Sequence, residues 1–177
     1  MPARNPMTFS ISARVRGSFT KFGIPVHIRL PQTHELDTIN AIILAAKSHW
    51  GYPKAWIAQW MPELEVTAQR LEQQRLWVAS RQNELVGVVA LTEVDELGQI
   101  ELCDCWVEPN HMRQGIGAAL LRFACEQATK MTATRLVLAA DPNAEDFYLR
   151  MGAVKVGERA SLPQGRKLPL MAIELEA

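Results

Sequence analysis

The sequence predicts a single α/β domain (α+β) in which a mixed, mostly antiparallel sheet of about six to seven strands is flanked by helices. Three observations lead there. Between Leu76 and Val107, β-rich apolar runs are separated by short turn-forming stretches, which reads as an antiparallel meander. A long amphipathic stretch from Gln114 to about Met131 separates that meander from Leu136–Ala140, a short, wholly apolar run of the kind buried on both faces of a sheet. The chain has 177 residues, 48% of them hydrophobic, which is enough for one well-buried core and short for two.

Taken in order, Ile24 to Leu30 is rich in β-branched residues and reads as a first strand ended by Pro31. Glu35 to Ser48 then puts Leu36, Ile39, Ile43, Leu44 and Lys47 on helical spacing, with Thr33 or His34 near its start. Trp50-Gly51-Tyr52-Pro53 is a turn, Trp56 and Trp60 stand at i and i+4, and Pro62 is expected to open a further helix carrying Leu64, Ala68 and Leu71. Leu76–Ala79 and Leu85–Thr92 pair through a tight turn near Asn83-Glu84, and Ile100–Val107 follows the turn at Glu96-Leu97-Gly98 and stops at Pro109. After the long helix and Leu136–Ala140, a short helix from Asn143 to Met151 is stopped by Gly152, and Ala153–Val156 and Leu168–Leu175 close the domain as strands.

Composition excludes several classes. Nineteen basic residues balance nineteen acidic ones, so the strongly basic surface of a nucleic-acid binder is absent. The longest apolar stretches fall far short of the roughly 20 residues that cross a bilayer, so no membrane partner is expected. Cys103, Cys105 and Cys125 are too few and too clustered for a disulfide framework, and no Cys/His pair completes a metal site around Cys103 and Cys105. A reducing, cytoplasmic setting without a metal follows as the expectation. Residues 1–23 carry Arg4, Arg14, Arg16 and Lys21 with no acidic residue before Glu35 and no sustained periodicity, which suggests a disordered basic tail ahead of a domain spanning 24–177.

The informative segment is Val107-Glu108-Pro109-Asn110-His111-Met112-Arg113-Gln114-Gly115-Ile116-Gly117-Ala118, a strand running through a glycine-bearing loop into a helix. Such a loop points free N–H groups at one spot, and the helix dipole adds about half a positive charge there, an arrangement suited to a pyrophosphate. A dinucleotide fold would prefer a third glycine where Leu120 stands, and a P-loop would need a Gly-Lys-Ser or Gly-Lys-Thr ending. The segment resembles the GNAT acetyltransferases, whose signature is a strand ending in Val-x-Pro followed by Gln/Arg-x-x-Gly-x-Gly/Ala at the start of the long helix. Two positions depart from it: Met112 takes the Gln/Arg position, and Arg113 stands where glycine is common.

A second block, Asp141-Pro142-Asn143-Ala144-Glu145-Asp146-Phe147-Tyr148 followed by Gly152-Ala153, is similar to the family's Asn-containing loop, aromatic-Tyr pair and closing glycine. Lys47-Ser48-His49-Trp50-Gly51-Tyr52 and Gly165-Arg166-Lys167-Leu168-Pro169 resemble the His-Trp-Gly-Tyr and Gly-Arg-x-Leu-Pro elements of a bacterial GNAT subgroup. The resemblance implies acetyl-CoA as cosubstrate. Its pyrophosphate would be held by the backbone of Arg113, Gln114, Gly115, Ile116, Gly117 and Ala118, and its pantetheine arm by the backbone near Trp106 and Val107. Either Asn143 or Asp141 would also reach the arm. Dimers are common in the superfamily, so a homodimer is part of the expectation.

The reaction implied is direct attack of an amine, carried by a small molecule or a protein, on the thioester. A Lys-like amine with pKa ~10.4 must lose a proton first, at a cost of about 4–5 kcal/mol at pH 7, so a base is useful. Glu101 is the favoured base and Asp104 the alternative. Strict alternation puts Glu101, Cys103 and Cys105 on one face and Leu102, Asp104 and Trp106 on the other, unless a bulge intervenes. Tyr148 takes the family's position of proton donor to the departing sulfur. His49 and Trp50 are candidate acceptor-binding residues, against the alternative that the early aromatic stripe is packing. Two rival readings stay open: a non-catalytic acyl-CoA-binding or sensing module of the same fold, and a Rossmann-type nucleotide enzyme.

Overall fold

The structure, a computed structural model, describes residues 25–73 and 75–176; the expected tail over residues 1–23 lies outside the described residues. Its centre is a seven-stranded sheet. The first four strands are β1 (His27–Arg29), β2 (Arg75–Arg81), β3 (Glu84–Leu91) and β4 (Gln99–Val107). β5 (Arg135–Ala139), β6 (Val154–Ser161) and β7 (Arg166–Glu174) complete it. The spatial order is β1-β2-β3-β4-β5-β7-β6, and every neighbouring pair is antiparallel except β4 with β5. The β2–β3 hairpin turns on Gln82 (φ 51°) and Asn83 (φ 67°), two successive left-handed residues of the kind that match the twist of a tight hairpin.

Helices cover both faces. On one, α1 (Leu36–His49) buries Ile39, Ile42 and Ile43 against Val78, Val88 and Ala90. Its entry is fixed by Glu35, which accepts from the Gln32 N–H at 2.7 Å and pairs with Arg29 at 2.6 Å. On the other, α4 (Ile116–Lys130) buries Leu120, Leu121 and Ala124 against Val86, Val89 and Leu138. Gly87 is required at that contact, because a Cβ there would lie 2.9 Å from Leu120 and from the Trp106 carbonyl. α2 (Lys54–Leu64), α3 (Ala68–Gln73) and α5 (Glu145–Arg150) are shorter.

Three local expectations change. Pro62 lies inside the last turn of α2 instead of opening the next helix, and α3 begins after Thr67, whose hydroxyl accepts from the Arg70 N–H at 3.1 Å. Leu44 is exposed, so the buried stripe of α1 runs through Ile39, Ile42, Ile43, Ala46 and Lys47. The β3–β4 register steps from Ala90↔Asp104 to Leu91↔Leu102, leaving Cys103 as the extra residue of a bulge. Simple alternation therefore fails there. Leu102 and Cys105 pack with the α4 core, while Cys103 and Trp106 pack with the α1 core.

Candidate active site

β4 and β5 are paired only at Gln99↔Arg135, Ile100↔Leu136 and Glu101↔Val137. Beyond Glu101 they part. From Leu102 to Val107, β4 keeps β3 on one edge, and among the described residues no strand occupies the other. Alternate backbone groups of that edge, including those around Trp106 and Val107, are available to an extended ligand that adds as a strand. The Trp106 side chain itself turns to the α1 face and donates from Nε1 to Asp104 at 2.8 Å.

The opening faces the start of α4. Arg113 (φ 59°) and Gly115 (φ 84°) are both left-handed, and Gly115 is the N-cap with no side-chain cap and no acidic residue in the following turn. The left-handed backbone at Arg113 gives the physical reason that glycine suits that position. Helix geometry leaves the first amides of α4 without intrahelical acceptors, so N–H groups around Ile116, Gly117 and Ala118 point out past the helix end. The Gln114 side chain is bound within the loop, to Arg81 and to the Asn110 carbonyl, leaving its backbone as the part able to meet a ligand. A Cβ on Gly117 would sit 3.5 Å from Phe147 and 3.7 Å from Val107, so the glycine leaves a gap floored by those side chains. A diphosphate and an extended amide-bearing arm fit this combination of orphan donors, missing carboxylates and open strand edge.

Tyr148, on α5, is buried, and the Cys105 thiol of β4 is its neighbour. Burial raises its pKa well above the usual tyrosine value, and the neighbouring Cys105 and Asp141 push the same way. Burial likewise pushes Cys105 up to about 12, so both groups are neutral at physiological pH. The two acids predicted on β4 have different surroundings. Glu101 is partly exposed and pairs with Arg159 of β6 at 2.7 Å. Asp104 is 2% exposed, with Oδ2 taken by Arg70 at 2.6 Å and Oδ1 by Trp106.

Beyond β5 lies a group that sequence reasoning did not assemble. Asp141 accepts from Lys47 Nζ at 2.6 Å and from the Tyr52 hydroxyl at 2.8 Å, and Arg166 Nη2 stands 3.5 Å away. The Asn143 side chain donates to Tyr52 at 2.9 Å and to Asp141 at 3.0 Å, which commits its amide to this group. Lys47 Nζ and the Arg166 guanidinium lie over the Trp60 ring at 4.4 and 4.5 Å. Burial pushes the Lys47 pKa down, and Asp141 only partly restores it. Burial pushes Asp141 up, but the Lys47 bond and charge, with the Asn143 N–H, leave it below the usual carboxylate value. His49 and Trp50 pack edge to face at 5.3 Å, the first exposed and the second half-buried, and neither joins the cluster. The available signal was Lys47 on the apolar stripe of α1, a cation in a row that otherwise buries isoleucine and alanine.

Among the described residues, no group of three or more His, Cys, Asp or Glu is placed to hold a metal ion, and no helix is long and apolar enough to cross a membrane.

The family model described as the Acetyltransferase (GNAT) family matches residues 43–153. Several solved structures share the fold. A GCN5-related N-acetyltransferase from Rhodopseudomonas palustris is 20% identical with a TM-score of 0.72, over 90% of this chain and 100% of that one. The PaiA N-acetyltransferase from Thermoplasma acidophilum, in complex with coenzyme A, is 17% identical with a TM-score of 0.68, over 85% of this chain and 99% of that one. An acetyltransferase from Bacillus subtilis in complex with CoA is 17% identical with a TM-score of 0.61, over 87% and 100%. No curated protein matches the chain.

Proposed function

We propose, for a chain that belongs to the GNAT acetyltransferase family, that its reaction proceeds by direct attack of a primary amine on the thioester within a ternary complex. Membership makes the protein an acyl-CoA-dependent N-acetyltransferase, with the acceptor still to be identified. Acetyl-CoA, when bound, supplies the activated acyl group.

The observation that carries the proposal is the buried Tyr148 hydroxyl, whose neighbour on β4 is the thiol of Cys105. With tyrosine near ~10 and a thiol near ~8.5, proton transfer from an unperturbed phenol to a thiolate is uphill by about 2 kcal/mol. The raised pKa of buried Tyr148 makes it harder still. Tyr148 therefore acts as a hydrogen-bond donor that lowers the energy of the leaving thiolate, and complete transfer is not required. A backbone N–H of the open β4 edge, between Cys105 and Val107, polarises the carbonyl.

The base is assigned to Glu101, acting through a water molecule. Support comes from its position at the last residue pair before β4 and β5 part, and from its partial exposure. Asp104 is the weaker candidate, since both its oxygens are bound to neighbours and it is buried. The loop amides of Arg113 to Ala118 hold the diphosphate. His49 and Trp50 belong to the acceptor side in this reading, supported by their place as the last residue and the C-cap of α1, two and three residues after Lys47. Chemistry without a metal, a cytoplasmic setting and a homodimer complete the proposal; exposed Val154 and Val156 on the edge strand β6 support the last of these.

The test is calorimetric titration with acetyl-CoA, CoA, NAD and ATP, followed by an amine screen. CoA ligands alone bind the wild type, and Gly117→Trp weakens them at least 100-fold by filling the gap above Phe147. Tyr148→Phe keeps CoA affinity within a few-fold and lowers kcat by about 10- to 100-fold, the range of one lost charge-stabilising hydrogen bond. Binding of NAD or ATP in place of CoA would overturn the proposal, as would unchanged kcat in Tyr148→Phe.

A further inference from the structure

The cluster around Asp141 is not balanced in charge. Lys47 and Arg166 contribute two cations, Asp141 contributes one carboxylate, and their side chains are 8, 11 and 10% exposed respectively. A buried excess charge is unfavourable unless a partner compensates it. Tyr52 and Asn143 bring dipoles but no second anion.

The two cations are unequally engaged. Lys47 makes a short bond to Asp141 at 2.6 Å and lies over Tyr52 and Trp60. Arg166 is held more loosely: Nη2 is 3.5 Å from Asp141 and 3.3 Å from the Tyr52 oxygen, and Nη1 donates to Ser161 at 3.0 Å. A guanidinium has five N–H donors in a planar fork suited to a bidentate carboxylate. Its carbon lies 4.5 Å from the centre of the Trp60 ring and 5.3 Å from that of Tyr52, a cation–π contact that holds the fork beside both rings. Trp60 is itself tied to the β6–β7 connection, where Nε1 donates to the Leu162 carbonyl at 2.8 Å.

Position completes the argument. Asp141 is the second residue beyond β5, on the strand that diverges from β4, and its charge is felt by the buried Tyr148 phenol. The cluster thus lies within electrostatic reach of Tyr148 and joins the end of α1 and the start of β7 to the residues that follow β5.

We propose that Arg166, oriented by Trp60 and Tyr52 and supported by Lys47, binds a carboxylate of the acceptor, so that the substrates are amines bearing a carboxylate, of the amino-acid type. The inference rests on the acetyltransferase reading and deepens it. Asp141 serves as the internal counter-ion that keeps Lys47 in place, and the acceptor carboxylate supplies the second negative charge. The same excess positive charge disfavours a polyamine at this position.

The experiment compares matched acceptors: each of the twenty amino acids against its own carboxamide, with 1,5-diaminopentane as the polycation paired with lysine. Release of the CoA thiol is the readout. In parallel, the CoA-loaded protein is titrated with N-acetyl amino acids and their amides. At least one acid exceeds its amide by tenfold or more in kcat/KM, mainly through KM, and its N-acetyl product binds more tightly than the matching amide. In Arg166→Gln the acid-to-amide ratio falls to within threefold of one, and Arg166→Lys restores part of it. Thermal unfolding of each variant establishes that it is folded. CoA binding with no preference for the carboxylate in any pair, or a preference that survives in Arg166→Gln, overturns this inference and leaves the acetyltransferase reading standing. Failure of CoA to bind overturns that reading first, and this inference with it.

Discussion

The two sides of the site are made of different material. At the start of α4 the surface proposed to face the ligand is backbone: left-handed Arg113 and Gly115, amides without helical acceptors, and the gap above Gly117. Around Asp141 it is side chain: Lys47 from α1, Tyr52 from the following turn, Asn143 from beyond β5 and Arg166 from β7. A backbone site needs only a path the chain can follow, so Met112 and Arg113 can replace the family's usual residues without removing a donor. A buried ionic site has no such tolerance, because deleting one member strands the charge of another.

The sharpest way to break this contrast is Asp141→Asn. It leaves Lys47 and Arg166 buried without a carboxylate, and the expected loss is about 3–5 kcal/mol of folding stability. Met112→Arg in the half-exposed loop should cost less than about 0.5 kcal/mol. Urea unfolding of both variants measures the difference. Comparable losses would mean that the cluster is solvated enough to tolerate the vacancy, and the distinction between the two sides would fail.

A smaller effect separates deep from shallow ion pairs by pH. Hydrogen bonding to Arg29 lowers the Glu35 pKa from 4.5 to about 2, and Asp141 also titrates below its usual 3.8. Both folded-state values are depressed. Their contributions are therefore complete above the unfolded-state values and lost as pH falls through the folded-state ones, a window from about 4.5 to about 2 for Glu35. Because solvent screens the Arg29–Glu35 pair, its share is about 1 kcal/mol. Glu35→Gln should flatten the acid limb of a stability-against-pH curve by about that amount, whereas Asp141→Asn should lower the whole curve at neutral pH. If Glu35→Gln leaves the limb unchanged, the capping pair does not stabilise the entry to α1.

This contrast also explains what could be read from the sequence. The meander, the long α4 helix and the glycine loop are local patterns, visible because periodicity and a strand-to-helix turn depend on neighbours in the chain. The roles given to Tyr148 and to the backbone near Trp106 and Val107 came instead from the family resemblance. The Asp141 cluster joins residues 94 and 89 positions apart, Lys47 and Tyr52 with Asp141, and only the closed sheet brings them together. Its members were visible separately, as Lys47 in an apolar stripe and as Arg166 in its short motif, but no spacing rule connects α1 to β7. Alternation along β4 failed for a related reason. The bulge at Cys103 is set by the β3 partner, so the face of Asp104 could not be fixed from β4 alone.

The smallest expected effect is also the most direct probe of the backbone side. Arg113 holds φ at 59°, a conformation that costs a residue with a Cβ about 1–2 kcal/mol and glycine almost nothing. Arg113→Gly removes that strain but gives the unfolded chain more freedom, which takes back about 0.4–1 kcal/mol. A net gain below about 1 kcal/mol is the expectation from thermal unfolding. CoA affinity, measured calorimetrically at two salt concentrations, should change by less than threefold, since the cradle consists of amides that the substitution leaves in place. A loss of tenfold or more that shrinks at high salt would show the exposed guanidinium sharing the phosphate charge. The α4 side would then depend on a side chain, as the Asp141 side does, and the contrast between them would narrow to one of degree.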